Sequence, residues 1–405
     1  MFMCRFVIPF VLLFASSLPA QEAWTTYRGN AQRTANSDGK AGPASPQLLW
    51  AAKSQDHFIA SPVPVGDRVF LSGLGAFNVA NFASYPMAAK SPVAPVWTKT
   101  VPFLKLPVVS APVQVAEYLI FGDGMHQTSG ATLYCIRADN GQPIWQLPVP
   151  GDLVHLEGTP TVAGPLLYIG GGAAGVICIE WQQASVDGKS YDLATLNTMQ
   201  QAKWKELLAK YEDDKKKDPD FAVPPNEDQL LKALPKIVWQ QGKDKWHVDA
   251  PVTVVGDRVI VASSFLDKEM VGDRAIHCLD AKTGAAKWRA PLKYNPWGGA
   301  SASPAGDTLV VPGSSVGYYY TALKGAKGSL TALDIATGKE KWHKELPAGL
   351  VSCAALADGL AVVTATDGKV RAFALTDGER RWLYDAKMPI FARLRLPRES
   401  STSVI

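Results

Sequence analysis

The sequence lacks the features that mark several common classes of protein. Its 405 residues contain only 5 Cys and 6 His, and no two cysteines are adjacent. The 41 Lys and Arg nearly balance the 37 Asp and Glu, and no basic run is interleaved with aromatic residues. A nucleic-acid-binding groove therefore has no support in the composition. The hydrophobic fraction of 47% also excludes a largely disordered chain.

No apolar run is long enough to cross a membrane as a helix, and the N-terminus instead has the layout of a secretory signal peptide. Arg5 precedes the apolar stretch Phe6 to Phe14, and small residues follow as far as Ala20. An uncleaved anchor is the alternative, although the stretch is shorter than the ~18–20 residues that a spanning helix needs. Cys4 precedes the apolar stretch, so it cannot be a lipidated lipoprotein cysteine. Residues 1–20 are predicted to be removed, and the mature protein to be periplasmic or secreted.

One spacing recurs along the chain: a small residue, Gly six positions later and Trp four positions after that. The four copies are Cys135/Gly141/Trp145, Cys278/Gly284/Trp288, Ala332/Gly338/Trp342 and Ala372/Gly378/Trp382. The residues before each Gly are typical of a strand, the Gly supplies the positive φ of a tight turn, and the strand with Trp returns antiparallel.

A hairpin pattern precedes each copy, and its openings fall at residues 62, 112, 160, 251, 304 and 354. Four short strands repeating at this period predict an all-β protein, a β-propeller of four-stranded antiparallel blades. Six full units are visible within residues 21–392, and Trp50 is predicted to be a lone final strand. Two separate β domains are the alternative. The pattern restarts at 388–391 and stops, and the tail 393–405 is irregular, so we expect a truncated ring of seven or eight blades.

An insertion at 182–238 interrupts the third unit and is predicted to be helical. Trp204, Leu207, Leu208 and Tyr211 recur at the spacing of one helix face. Asn226 and Gln229 resemble a capping box before a short helix from Leu230 to Leu234. The insertion is interpreted as a helical hairpin on the rim or, alternatively, as an arm that docks a partner.

The spacing of the small residue, Gly and Trp resembles the tryptophan-docking motif of PQQ-repeat propellers, which include quinoprotein dehydrogenases and BamB. The resemblance covers roughly Trp24 to Phe391 apart from the insertion, and the opening Trp24 to Asn30 resembles the lead-in of exported members. It implies that each Trp is clamped between the small residue of its own motif and the peptide beside the Gly of a neighbouring motif. That role is assigned to Trp145, Trp288, Trp342 and Trp382 with Gly141, Gly284, Gly338 and Gly378, and to Trp50, Trp97 and Trp239 in degenerate copies.

No catalytic residue, cofactor-binding residue or metal ligand is assigned from the sequence. The histidines, at 57, 126, 155, 247, 277 and 343, show no metal-ligand spacing. His126 lies in a loop that can face the ring mouth, but an ordinary polar role is favoured. The Gly-rich run 170–175 is interpreted as a wide turn, and Trp297 as a packing residue. Cys135, Cys178 and Cys278 occupy small-residue positions in different blades, so the mature cysteines are predicted to be free thiols.

Two function classes remain open. The first is an exported, non-catalytic scaffold, similar to BamB, that binds protein partners and acts in envelope assembly without a cofactor. The second is an oxidoreductase with PQQ and calcium, similar to quinoprotein alcohol dehydrogenases. The resemblance implies that in such enzymes a disulfide between two adjacent cysteines lies against the cofactor, and that acidic side chains meet at the propeller axis. The recurring acidic residues here, Asp280, Asp334 and Glu180, suggest a role in the turns of the blades instead.

Overall fold

The computed structural model describes residues 24–35, 45, 47–51, 57–58, 60–75, 79–88, 93–126, 128–317, 323 and 325–387. The predicted signal peptide, Cys4, the restarting pattern at 388–391 and the tail 393–405 lie outside these residues. Within the described part, no helix is both long and apolar enough to span a membrane.

The described strands form six antiparallel sheets, each with four consecutive strands as its core, and we call these sheets blades 1 to 6. Blade 1 contains β1 (His57–Phe58), β2 (Val63–Val65), β3 (Arg68–Leu74), β4 (Ala80–Pro86) and β5 (Trp97–Lys99). Blade 2 contains β6 (Val113–Val115), β7 (Tyr118–Gly122), β8 (Ala131–Arg137) and β9 (Pro143–Val149). Blade 3 contains β10 (Thr161–Ala163), β11 (Leu166–Gly170), β12 (Val176–Val186), β13 (Lys189–Asp192) and β14 (Leu234–Gln241).

The second half of the chain repeats the same plan without extra strands. Blade 4 contains β15 (Thr253–Val255), β16 (Arg258–Ser263), β17 (Ala275–Asp280) and β18 (Ala286–Pro291). Blade 5 contains β19 (Ser301–Ala302), β20 (Thr308–Ser314), β21 (Gly328–Asp334) and β22 (Glu340–Leu346). Blade 6 contains β23 (Ala355–Ala357), β24 (Leu360–Thr364), β25 (Lys369–Ala374) and β26 (Arg380–Asp385). The predicted propeller of four-stranded blades is confirmed.

Two local expectations were wrong. Pro304 was expected to open the hairpin of blade 5, but the inner strand β19 ends at Ala302 and Pro304 lies in the turn. Proline without a backbone N–H is tolerated better in a turn than in a strand ladder. Trp50 lies outside any strand, and its indole Nε1 donates to the Met87 carbonyl at 2.7 Å, against blade 1.

The strand that carries Trp pairs with the preceding strand in the same register in each of these repeats, and the turn between the two strands sets that register. Cys278 lies opposite Trp288, Ala332 opposite Trp342, and Ala372 opposite Trp382, with a bulge directly after each small residue. In blade 4, Asp280 begins the turn, and its carboxylate accepts hydrogen bonds from the backbone N–H groups of Lys282 and Thr283. This geometry places each Trp over the small residue of its own blade.

The core lies between neighbouring blades because both faces of the middle strands are apolar. All seven residues of β20 are buried, which is the pattern of a strand covered on two sides. One cluster joins blade 2 to blade 3 and includes Ile120, Leu133, Leu167 and Ile177. A single blade could not bury both of these faces, so each blade depends on its neighbours.

The insertion in blade 3 is a long helix on an extended hairpin. Helix α1 (Leu193–Lys217) is longer than predicted, and only Leu193, Leu196 and Gln200 in it are buried. The predicted face continues the buried one, but beyond the first turns it is only half-buried at Trp204 and Leu207, and Leu208 is 39% exposed. The capping box at Asn226 is present, but it caps a 3-10 turn (Glu227–Gln229), and β14 begins at Leu234 where the second helix was expected.

The segment 24–35, which we call the axial segment, lies against the inner strands of most of the ring. Its backbone carbonyls accept hydrogen bonds from the N–H groups of Gln114 in blade 2, Val254 in blade 4, Ala302 in blade 5 and Leu356 in blade 6. A segment of this length can meet four inner strands around a ring only if it lies along the central channel. The axis of the propeller is therefore filled by the chain itself.

Arg33 fixes the axial segment to blade 3 and, a second time, to the start of blade 4, and it is fully buried. Its guanidinium donates to the carbonyl of Tyr27 at 2.8 Å, to the carbonyls of Pro160 and Val252 at 3.4 and 3.3 Å, and to the hydroxyl of Thr161. Five donors in a planar fork suit this group to several carbonyl oxygens at once.

Candidate functional site

The tryptophans of successive blades pack on the glycine turn of the next blade. Trp288 donates from Nε1 to the carbonyl of Ile335 at 2.9 Å, three residues before Gly338. A Cβ built on Gly338 would lie 2.5 Å from the Trp288 ring. Glycine is required there both for this contact and for its φ of +71°.

The same contact recurs around the ring at four junctions, and a variant of it forms a fifth. Trp97 donates to Ala138, Trp239 to Ala281, Trp288 to Ile335 and Trp342 to Leu375, each acceptor three residues before Gly141, Gly284, Gly338 or Gly378. Trp145 is fully buried and donates to Trp181, where blade 3 has no glycine turn. Trp382 is 43% exposed, and no described residue accepts a hydrogen bond from its indole. The assigned role of Trp382 thus stays a prediction.

Three histidines that are scattered in the sequence meet at one face of the ring. His126 lies in the loop from the second to the third strand of blade 2, and His155 and His247 lie in the connections to the inner strands of blades 3 and 4. In an antiparallel four-stranded blade, both kinds of loop lie at the same face. We call His126, His155, His247 and Asp249 the histidine cluster.

The histidine cluster is compact and nearly enclosed. One ligand-type atom from each of the four residues lies within 4.8 Å of the others. The side chains of His155 and His247 are completely buried, and that of Asp249 is 14% exposed. Nε2 of His155 lies 3.3 Å from Nε2 of His247 and 3.6 Å from Oδ1 of Asp249. These atoms are of the types that bind a transition-metal ion.

The imidazoles of His126 and His247 are uncharged at neutral pH. Burial, with a contribution from the two neighbouring histidines, lowers the pKa of His126 to about 4. Burial also lowers the pKa of His247 to about 4. A neutral imidazole has one nitrogen lone pair available, which is the form that binds metals.

The sequence analysis assigned no metal ligand, because spacing along the chain cannot reveal residues that meet only through the ring. His155 and His247 do share a signal: each stands a few residues before the inner strand of a blade, with Glu157 and Asp249 two residues later. His-x-Glu and His-x-Asp at equivalent positions of neighbouring repeats would have pointed to this face. His126 does lie in a loop as expected, but it is buried.

The remaining sequence-predicted residues have packing roles. The four described cysteines, Cys135, Cys178, Cys278 and Cys353, are buried and form no disulfide, as predicted. Trp297 donates to the carbonyl of Val316 at 2.7 Å. The run 170–175 is a turn between β11 and β12, and its Gly172 backbone pairs with Val248 beside the histidine cluster.

Asp123 was missed by the sequence analysis although it breaks the repeat. The equivalent residues of blades 4 and 5 are Ser263 and Gly313, as counted from the first turn of each blade. Its carboxylate accepts hydrogen bonds from Thr132 N at 2.5 Å and the Tyr134 hydroxyl at 2.8 Å. Burial raises the pKa of Asp123 to about 6, and these hydrogen bonds oppose the shift.

The described residues do not fit PQQ on the axis. The axial segment lies in the channel where the dehydrogenase resemblance implies the cofactor and its converging carboxylates. Arg33 there is hydrogen-bonded to the carbonyls of Pro160 and Val252 and to the hydroxyl of Thr161 in the propeller itself. The described cysteines also include no vicinal pair.

The repeated blades and the tryptophan contacts define a propeller of the PQQ-repeat class. A family model described as "Outer membrane protein assembly factor BamB" matches residues 40–204 and 272–403. The chain belongs to this family. The crystal structure of BamB from Moraxella catarrhalis superposes with a TM-score of 0.51 at 12% identity, covering 80% of this chain and 75% of that one, which supports the fold.

Curated relatives match over shorter stretches. BamB of Burkholderia pseudomallei is 30% identical over 143 residues, 35% of this chain and 31% of that protein. The serine/threonine-protein kinase AfsK of Streptomyces griseus is 34% identical over 116 residues, 27% of this chain and 13% of that protein. The chain thus spans less than a third of the length of either relative.

Proposed function

We propose that the protein is an exported propeller that acts as a protein-interaction scaffold in the cell envelope, in the assembly of outer-membrane proteins. The observation that carries this proposal is the filled axis. Because the chain's own axial segment occupies the channel, the outer surfaces of the ring remain for function. Membership of the BamB family supports the choice of outer-membrane assembly as the process.

We call α1 and the chain that follows it, residues 193–226, the arm of blade 3. Its surface is the one that best suits a partner. After α1, the chain returns through residues 218–226, where Phe221 and Val223 are 82% and 80% exposed. These two strongly exposed apolar side chains offer a partner an apolar contact that is not used within the described part of the chain. The partner proposed is a protein of the outer-membrane assembly machinery.

Cross-linking in the envelope fraction, followed by affinity capture and mass spectrometry, tests this proposal. We expect the wild-type chain to capture an outer-membrane assembly component, and Phe221→Ser with Val223→Ser to weaken that capture at least about tenfold. Met270→Ser is the matched control, because Met270 is 72% exposed but lies in blade 4. Equal capture by all three proteins would refute the arm as the contact, and absence of any assembly component would refute the scaffold.

Export is tested separately. N-terminal sequencing of the periplasmic or secreted form should begin at Gln21, and an intact Met1 in a membrane fraction would contradict the predicted cleavage. Purified protein with added PQQ and Ca²⁺ should show no cofactor absorbance after gel filtration and no alcohol-dependent dye reduction. Turnover that disappears when Ca²⁺ is chelated would favour the oxidoreductase instead.

A further inference from the structure

We propose that the histidine cluster binds one Zn²⁺ ion as a structural site, with His126, His155, His247 and Asp249 as its four ligands. The site would lie at the face of the ring where blades 2, 3 and 4 meet. It is independent of the partner contacts proposed for the arm.

The spacing of the donor atoms carries this proposal. Zinc binds imidazole nitrogen at about 2.0–2.1 Å in tetrahedral sites, so two such nitrogens lie about 3.3–3.4 Å apart. Nε2 of His155 and Nε2 of His247 are 3.3 Å apart, which matches that edge. The 3.6 Å from Nε2 of His155 to Oδ1 of Asp249 is close to a second edge. A ring nitrogen of His126 within 4.8 Å of the others needs only a small side-chain rotation to complete the tetrahedron.

The outer nitrogen of one ligand already faces a carboxylate that is not itself a ligand. Nδ1 of His155 lies 3.6 Å from Oε1 of Glu157. Metal-binding histidines commonly direct their second ring nitrogen at a carboxylate, which fixes the tautomer and strengthens the ligand. Glu157 is held in place because it also accepts a hydrogen bond from the backbone N–H of His126.

The space beside the donor atoms is kept open by a glycine. A Cβ on Gly172 would lie 2.8 Å from Nε2 of His155, so any side chain there would enter the space next to this nitrogen. The cluster has three imidazoles and one carboxylate and is almost closed to solvent. Such a donor set favours Zn²⁺ over Ca²⁺ or Mg²⁺, which prefer oxygen ligands, and four protein ligands are typical of structural rather than catalytic zinc.

The ion would join one loop of blade 2 to the connections that lead into blades 3 and 4. His126 belongs to a loop within blade 2, His155 to the connection between blades 2 and 3, and His247 to that between blades 3 and 4. Bound zinc would therefore fasten these blades at one face while the tryptophans fasten them through their turns. Because only the folded ring assembles the cluster, zinc should raise thermal stability.

The test uses the whole mature protein, stripped with a chelator and then titrated with Zn²⁺ or Co²⁺. We expect one Zn²⁺ per chain by elemental analysis after gel filtration and, with Co²⁺, the intense visible absorption of tetrahedral coordination. The melting temperature should rise by about 5 °C at a hundredfold excess of free Zn²⁺ over Kd.

Variants separate the cluster from adventitious binding. His155→Gln and His247→Gln should each weaken Zn²⁺ binding at least about a hundredfold, and Glu157→Gln about tenfold, because it touches a ligand rather than the ion. His343→Gln is the control: His343 lies on the outer strand of blade 5 and bonds to Thr331. It should bind zinc like the wild type.

Weak, octahedral Co²⁺ absorption in the wild-type protein would overturn the proposal, as would equal loss of binding in His343→Gln and His247→Gln. If the ligand variants fail to fold, Glu157→Gln and the wild-type Co²⁺ spectrum decide the question. Tetrahedral absorption that is weakened in Glu157→Gln supports the site, and any other result refutes it.

Discussion

The blades and the axial segment are held by contacts of opposite kinds. In the blades, Trp342 lies opposite Ala332 on the neighbouring strand and packs on Gly378 of the next repeat. In the axial segment, Arg33 bonds to Thr161 and Val252, residues 128 and 219 positions away. The blades thus repeat one local arrangement, whereas the axis depends on single long-range contacts that recur nowhere else among the described residues. A substitution in one blade should therefore remove only the stabilising contacts of that blade. A substitution at the axis should weaken several blades at once.

The largest effect should come from the axis. Arg33→Ala would leave several buried oxygens without their donor, and each such loss costs about 1–3 kcal/mol. We expect the free energy of unfolding to fall by about 5 kcal/mol, measured by urea denaturation. Arg381→Ala is the control: Arg381 is half-exposed in blade 6 and pairs with Asp377, and it should cost no more than about 0.5 kcal/mol. Equal effects would mean that the axial segment is not part of the core.

The next largest loss of stability should come from removing the tryptophan contacts between blades. Trp342→Ala removes a buried indole between blades 5 and 6 and should cost about 3–5 kcal/mol, as should Trp288→Ala between blades 4 and 5. Trp382→Ala tests the same motif where the indole is 43% exposed, and it should cost less than about 1.5 kcal/mol. Thermal midpoints of the three variants check this order. A loss for Trp382→Ala as large as that for Trp342→Ala would show that Trp382 is also docked.

A glycine pair separates the docking contact from backbone strain. Gly338 and Gly359 have nearly the same φ, +71° and +72°, but only a Cβ on Gly338 would meet a Trp ring. Gly359→Ala should therefore cost about 1 kcal/mol, from strain alone. Gly338→Ala adds the clash with Trp288 and should cost about 3 kcal/mol. If both variants lose the same free energy of unfolding in chemical denaturation, the ring of Trp288 can move away from the new Cβ without destabilising the fold.

The same contrast explains which parts of the molecule could be predicted from the sequence. The spacing of Ala332, Gly338 and Trp342 encodes a turn, a register and a contact with the next blade, so the fold follows from local patterns. Helix α1 and its apolar face were located, but the turns that pack were not, because periodicity does not tell which turn of an amphipathic helix meets the sheet. The histidine cluster and the axial segment were not predicted, since their residues approach one another only after the blades close around the channel.

The smallest effect on stability is expected at Asp123. It tests whether a residue that departs from the repeated pattern lowers the free energy of unfolding. Its pKa is raised to about 6, mainly by burial, while an unfolded chain has the ordinary value of 3.8. Between these two values the folded protein binds the proton and the unfolded chain does not, so the free energy of unfolding falls as the pH rises. The penalty is nearly absent below pH 3.8, grows up to about pH 6 and is constant above it, and between pH 4 and pH 7 it changes by on the order of 2 kcal/mol. Asp123→Asn removes this titration, so the stability difference between wild type and variant should shift by that amount in favour of the wild type when urea unfolding is repeated at pH 4 instead of pH 7. If the stability difference between wild type and variant does not change with pH, water reaches the carboxylate of Asp123. The residue would then carry no titration penalty, like its counterparts Ser263 and Gly313 in the other blades.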